Sequence, residues 1–404
     1  MKLGDFITLQ RGFDLPIQDR RPGSTPIISS SGISDYHDEW KAKAPGVVTG
    51  RYGTIGEVFY TRQDYWPLNT TLWVKDFHGN DPHFSYYLLK TVDFLSCSDK
   101  SSVPGVNRND LHLITVIVPP LAEQRIIASI LSSLDDKIEL NRKMNETLEA
   151  MARAIYKSWF VDFDPVHAKA AGKKPFGMDK ETAVMFPDSF EDSAMGKIPK
   201  GWKVDSIKNR VSRIQYGLTE SASKEPVGPR FLRITDIQGG KVDWNQVPFC
   251  HIDEESIEKY KIVEGDICVA RTGASTGENI FIVNPPNAVF ASYLVRFQCD
   301  NIATSRYVAQ FMRSPDYFSY VAGCLGGSAQ PNANAQTLAS AQMAFPIDAL
   351  ITKWYELVIH LDKLISVNSV TASSLAATRD CLLPRLLSGE LQIKDVEKTA
   401  KALV

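Results

Sequence analysis

Two stretches of this chain carry the same apolar rhythm. They are "PPLAEQRIIASILSSLDDKIELNRKMNETL" from Pro119 to Leu148 and "PIDALITKWYELVIHLDKLISVNSVTASSL" from Pro346 to Leu375. In the first, Ile127, Leu131, Leu134, Ile138, Asn141, Asn145, Leu148, Ala152, Ile155 and Trp159 follow alternating steps of four and three, which keeps them on one narrow face of a helix. In the second, the equivalent positions are Trp354, Val358, Leu361, Ile365, Asn368, Ala372, Leu375, Arg379, Leu382 and Leu386. Two such seams in one chain invite pairing with each other. An antiparallel pairing buries both and relates two helix-bearing halves by a pseudo-two-fold axis. Asn141 and Asn368 occupy matched positions, where a buried amide sacrifices stability but fixes register. The plainer reading makes each helix the last core element of its own domain, with its asparagine facing water.

The repeat extends beyond the helices. Asn107 in "SSVPGVNRNDL" answers Asn334 in "GSAQPNANAQTL" at an offset of 227 (334 minus 107), and the offset holds without a gap through Leu148 and Leu375. Upstream, "VVTGRYGTIGEV" answers "ICVARTGASTGENI", with Arg51 matched to Arg271 at an offset of 220 (271 minus 51). The order is therefore globular domain, helix, linker, globular domain, helix. We divide the chain into a first domain over 1–118, a spacer helix over 119–162, a linker over 163–201, a second domain over 202–345, a spacer helix over 346–390 and a tail over 391–404. The linker lacks sustained periodicity, and Phe176, Met178, Met185, Phe186 and Phe190 are expected to pack it on a surface.

Composition excludes several functions. With 45 Lys and Arg against 47 Asp and Glu, no whole-chain positive field is available for non-specific nucleic-acid binding, so positive charge must be local or supplied by partners. The six cysteines form no CxxC pair, the histidines show no metal-ligand spacing, and no metal is expected. No apolar run is long enough to span a bilayer and no signal peptide is evident, so a cytoplasmic location is expected.

Catalytic motifs are absent as well. "VNPPNAV" resembles the Asn-Pro-Pro-aromatic motif of adenine methyltransferases, but Asn287 stands where the aromatic should stack on a flipped base, and no glycine-rich cofactor loop precedes it. "GRYGTIG" is followed by strand-like "EVFYT" and reads as a hairpin turn. Asp162, Asp164 and His167 in "VDFDPVH" read as solvated capping groups at a helix end. The chain reads as a binding protein.

Its loops gather side chains suited to DNA. Arginine and amide groups pair with base edges, and hydroxyl groups suit phosphates. The candidates are Arg11, Ser31, Arg51, Tyr52, Ser102, Asn107 and Arg108 in the first half, and Tyr216, Arg230, Arg233, Arg271, Thr272, Ser328, Gln330, Asn332 and Asn334 in the second. For any one of them, a solvated loop position is the competing reading.

"PPLAEQRIIASILSSLDDKIELN", "AIYKSWFVDFDPV", "PKGW" and "LLPRLLSGEL", in this order, resemble the specificity subunit of type I restriction-modification systems over nearly the whole chain. The resemblance implies an α+β architecture of two similar β-rich target-recognition domains separated by two long helices in an antiparallel coiled coil. Each domain would read one half of a bipartite double-stranded DNA target. The helices would set the spacing and dock two modification (methyltransferase) subunits, with Glu123 and Gln124 as docking residues. Restriction and translocase subunits would join them. S-adenosylmethionine, ATP and Mg would be held by those partners, with no cofactor and no catalytic residue in this chain. A self-sufficient DNA adenine methyltransferase and a scaffold that does not read DNA are the alternatives.

Overall fold

A computed structural model describes residues 1–97, 105–325 and 332–391. The chain forms two compact units. The first comprises Met1–Glu139 with the chain from Ser374 onward, and the second comprises Leu140–Ser373. Two long helices, Leu121–Phe160 and Asp348–Leu387, each contribute one portion to each unit. The helices are therefore not separate spacers in their packing, because their apolar faces complete the cores of both units.

In the first unit, four antiparallel strands lie in the order Thr8–Arg11, Thr71–Asp76, Gly46–Gly50, Val58–Thr61. Their apolar faces, including Val47, Val58, Leu72 and Val74, meet Phe84, Tyr87 and Leu88 of a helix at Pro82–Lys90. Asp81 starts that helix by accepting a hydrogen bond from the Phe84 amide, with proline at the first helical position. Ile127, Ala128 and Leu131 of the first long helix join the same core together with Leu383, Leu386 and Leu387 of the second. Within this unit the start of one helix thus lies beside the end of the other, which is antiparallel.

The second unit repeats the plan. Its sheet runs in the order Val211–Tyr216, Leu294–Cys299, Ile267–Ala270, Asn279–Phe281, and the helix after it, Ile302–Phe311, is capped by Asn301. Each unit also contains one parallel strand pair, Ile27 beside Trp66 in the first and Phe231 beside Val289 in the second. Ala152, Tyr156, Trp159 and Phe160 pack with Leu350, Ile351, Trp354 and Val358, again antiparallel.

Along the seam, Leu131 and Val358 are buried, whereas Leu134, Ile138, Asn141, Leu148, Leu361, Ile365, Asn368 and Leu375 are half-buried. The two asparagines at matched sequence positions, Asn141 and Asn368, do not pair with each other. Asn368 donates to Asn145 Oδ1 at 2.9 Å, and Asn145 Nδ2 donates to Ser369 Oγ at 3.0 Å and to the Ile365 carbonyl at 3.2 Å. Asn145, rather than Asn141, is the partner of Asn368. Residues related by the sequence offset occupy equivalent places, but in an antiparallel pair equivalent residues face each other only at the axis.

The stretch 163–201 is also more ordered than a linker. It forms helices at Asp164–Ala170 and Lys180–Met185 and a hairpin of Phe190–Ser193 with Gly196–Pro199. Val166, Met178, Ala183, Phe186 and Ile198 enter the core of the second unit. Phe176, expected to pack, is fully exposed. These elements are too short for periodicity to reveal them.

Candidate nucleic-acid interface

Strand Gly46–Gly50 leaves its sheet at Arg51, and the turn that follows is close-packed. A Cβ on Gly50 would lie 1.9 Å from the Thr54 carbonyl oxygen. The Arg51 amide donates to the Thr70 carbonyl at 2.9 Å, and the Val106 amide donates to the Arg51 carbonyl at 3.1 Å. Tyr52 bridges Gly105, where an added Cβ would stand 2.2 Å from the tyrosine ring. Only glycine leaves the ring its place, so Gly105 is a residue of this site that the sequence reading passed over; "VPGV" was its signal. The Arg51 guanidinium lies 4.6 Å from the Tyr52 ring centroid, within cation–π range. Asn107 then caps the helix Arg108–Leu113 by accepting from the Asn109 amide at 3.0 Å, and Arg108 is exposed on its first turn. Ser30 packs against Gly50 and Gly53, which brings the hairpin tip carrying exposed Ser31 beside this turn.

The second unit builds the same arrangement from different residues. Arg271 follows strand Ile267–Ala270, its carbonyl accepts from the Ala333 amide at 2.9 Å, and Thr272 bridges Asn332. Asn334 caps Ala335–Ala339 by accepting from the Thr337 amide at 2.8 Å. The ring under the arginine is now Tyr216, 5.1 Å from the guanidinium carbon, and its hydroxyl accepts from the Ala335 amide at 3.0 Å. Arg271 Nε donates to the Ser292 carbonyl at 3.0 Å.

The structure thus assembles Arg51, Tyr52, Asn107, Arg108 and Ser31 in one unit, and Tyr216, Arg271, Thr272, Asn332 and Asn334 in the other. Ser102, Ser328 and Gln330 lie outside the described residues. Arg11 is exposed and pairs with Asp14 at 3.6 Å.

Two arginines are committed elsewhere. Arg230 donates to the carbonyls of Val247 and Asn245 at 2.5 and 3.2 Å and lies over Phe249. Arg233 binds Asp236 through two parallel hydrogen bonds of 3.0 and 2.8 Å, which raise its pKa. Arg230 Nη1 and the Nε–Nη2 edge of Arg233 serve the fold, which fits these two arginines less well to base reading than Arg51 and Arg271.

A similar correction applies to Gln124. It is buried, its Nε2 donating to Asn80 Oδ1 and the Pro119 carbonyl and its Oε1 accepting from the Asp81 amide. It fastens the domain helix to the long helix instead of facing a partner. Glu123 is exposed. Asn284, with φ of 46°, lies in the turn between strands Asn279–Phe281 and Ala288–Phe290, and Asn287 offers its carbonyl to the Arg230 amide. Among the described residues, no group of three or more His, Cys, Asp or Glu side chains is placed to hold a metal ion.

Residues 1–150 match the family model described as the type I restriction modification DNA specificity domain. The chain is 26% identical over 364 aligned positions to the type I restriction enzyme HindI specificity subunit of Haemophilus influenzae, covering 77% of each chain. It is 25% identical over 329 positions to the MjaIX specificity subunit of Methanocaldococcus jannaschii, covering 78% of this chain and 70% of that one. Among solved structures, the type I restriction-modification system S subunit from M. genitalium matches with a TM-score of 0.60 over 96% of this chain and 95% of that one, at 14% identity, which shows a shared fold. Over its first 150 residues the chain thus resembles a DNA specificity domain, and over about three quarters of its length it is similar to specificity subunits of type I restriction enzymes.

Proposed function

We propose that this chain is the non-catalytic subunit that gives a type I restriction-modification complex its DNA sequence, with each unit reading one half of a bipartite target. The observation that carries this reading is the duplication itself: both units present an arginine stacked on a tyrosine beside an asparagine-capped helix, on the same sheet order. One chain with two such surfaces suits two half-sites. The long helices set the spacing between half-sites and dock two modification subunits. In the second unit the helices expose Leu140, Met144 and Met151 on one and Leu357, Leu364 and Val367 on the other, apolar positions that a partner helix would cover. Glu123 lies outside this set and remains a docking candidate in the first unit.

S-adenosylmethionine, ATP and Mg belong to the partner subunits in this reading, and restriction subunits complete the assembly in the cytoplasm. Among the described residues, no helix is long and apolar enough to cross a membrane.

Exchanging residues 202–345 for the matching segment of a relative tests the reading in the complex reconstituted with modification subunits. Mapping methylated adenines should show one half-sequence changed and the other kept, because base contacts lie within one unit. Both halves changing would defeat the two-reader scheme, and methyl transfer by the isolated chain would favour a self-sufficient methyltransferase.

A further inference from the structure

Arg51 and Arg271 hold the same place in their units, one residue beyond the inner strand, and each carbonyl receives an amide from the residue preceding a helix-capping asparagine. What surrounds the two guanidinium groups is not the same. In the first unit the aromatic partner is the next residue, Tyr52, and it has room only because position 105 is glycine. In the second unit the next residue is Thr272 and the opposed position is Asn332, so that solution is closed. Tyr216 supplies the ring instead, from the end of an outer strand. A contact needed only to hold the loop would be met by inherited neighbours. A tyrosine brought to the same arginine from two unrelated positions points to a requirement for an aromatic ring against the guanidinium at this place.

The donors point outward from the fold's own needs. Arg51 is half-buried, and its guanidinium has no hydrogen-bond acceptor among the described residues. Arg271 is held through Nε by the Ser292 carbonyl, while Nη1 reaches Asn332 Oδ1 only at 3.5 Å, the outer limit of a hydrogen bond. Neither guanidinium is cut off from solvent, so the donors that the fold leaves unpaired are available to a ligand. The Ser292 carbonyl engages Arg271 Nε and leaves its terminal nitrogens without a close partner, while the Arg51 guanidinium is held by its ring alone. A tetrahedral phosphate can take the fork through any pair of its oxygens and so fixes no single orientation, whereas the O6 and N7 acceptors of guanine lie in one plane and accept two parallel hydrogen bonds from arginine.

Building on the bipartite-reader proposal, we infer that Arg51 and Arg271 are equivalent base-reading residues, each taking the major-groove edge of one guanine in its own half-site. Tyr52 and Tyr216 are positioning residues that hold the guanidinium.

The test uses the full chain assembled with its modification subunits. Methylome mapping of the wild-type complex first defines the target, and binding is then measured on duplexes carrying that target with each base pair replaced singly. Arg271→Lys retains the charge and loses the planar fork, so discrimination at one guanine of one half should fall by roughly 5- to 150-fold, the equivalent of 1–3 kcal/mol, with the other positions unchanged. Arg51→Lys should do the same in the other half. Tyr216→Leu and Tyr52→Leu should lower that discrimination at the same guanines. Equal loss of affinity on every duplex, with a shallower salt dependence, would assign the arginines to phosphate and overturn the inference, as would unchanged discrimination in both lysine variants. A wild-type complex without a bipartite target would instead remove the functional proposal on which it rests.

Discussion

Asp135 and Asp362 are equivalent positions on the two long helices, and each is neutralised by an arginine, yet the arginines come from different elements. In the first unit Asp135 accepts from Arg379 of the second long helix at 2.5 Å and from the Tyr87 hydroxyl of the domain helix at 2.6 Å. In the second unit Asp362 accepts two hydrogen bonds, 2.6 and 3.1 Å, from Arg306 of the domain helix. The position equivalent to Arg379 is there the buried Ala152. The first arrangement ties helix to helix with a cation and helix to domain with a phenol; the second ties helix to domain with the cation itself. Duplication preserved the carboxylate, and each unit solved its neutralisation separately.

Burial ranks the two solutions. The Arg306 and Asp362 side chains are 7% and 10% exposed, whereas Arg379 and Asp135 are 18% and 27% exposed. Burial works against the Arg379 charge, but hydrogen bonds to Asp135 and Asp380 outweigh it and raise its pKa. Arg306→Ala leaves Asp362 without another donor among the described residues and empties the space beside Trp354 and Phe281. The expected loss is about 3–5 kcal/mol, the range for breaking a buried pair from one side. Arg379→Ala leaves Asp135 with Tyr87 and partial solvation, so about 1–3 kcal/mol is expected. Denaturant unfolding of both variants, followed by hydrogen exchange to locate the loss, measures the difference; equal losses would mean that depth does not separate the two pairs.

A smaller contrast lies in the seam. The mirror image of the Asn145–Asn368 contact would place Asn141 opposite Ala372, a methyl group that accepts no hydrogen bond. Asn145→Ala removes the acceptor of Asn368 and is expected to lower stability by about 1–2 kcal/mol. Ala372→Asn should complete the mirror pair, and a double-mutant cycle with Asn141→Ala should then show coupling of about 0.5–1.5 kcal/mol. No coupling would show that the pseudo-symmetry does not extend to these side chains.

The seam also marks how far the sequence could be read. Four-three spacing exposed both helices and their antiparallel pairing, because burial of a narrow apolar face leaves a periodic trace. The offset of 227 identified equivalent residues; contact partners run in opposite directions along the two chains, so Asn141 was matched with Asn368 where Asn145 lies. The arginines divide in the same way. Arg51 and Arg271 stood out through the repeat, but whether a guanidinium is already occupied depends on carbonyls far along the chain, as for Arg230 with Val247. Arg233 was the legible exception. Asp236, three residues later, held its partner in plain view.

The smallest expected effect concerns acid, and it belongs to two histidines of the first unit. His83 is stacked on Tyr60 with ring centroids 4.0 Å apart, and burial, then the charge of Arg62, holds its pKa below 6.5. Burial, then Arg108, acts in the same direction on His112, whose Nε2 accepts the Leu9 amide at 3.0 Å and must be unprotonated to do so. A depressed folded pKa means that the unfolded chain binds protons first as pH falls, so this contribution to stability is present above about 6.5 and is lost as pH drops through the folded values. Both imidazoles are only half-buried, which places the effect last. Exchange at the Leu9 amide, corrected for the intrinsic rate, should accelerate between pH 7.5 and pH 5.5, and His112→Gln, which retains an acceptor without titrating, should flatten that dependence. A pH profile unchanged in this variant would place the acid sensitivity of the first unit outside the His112 contact.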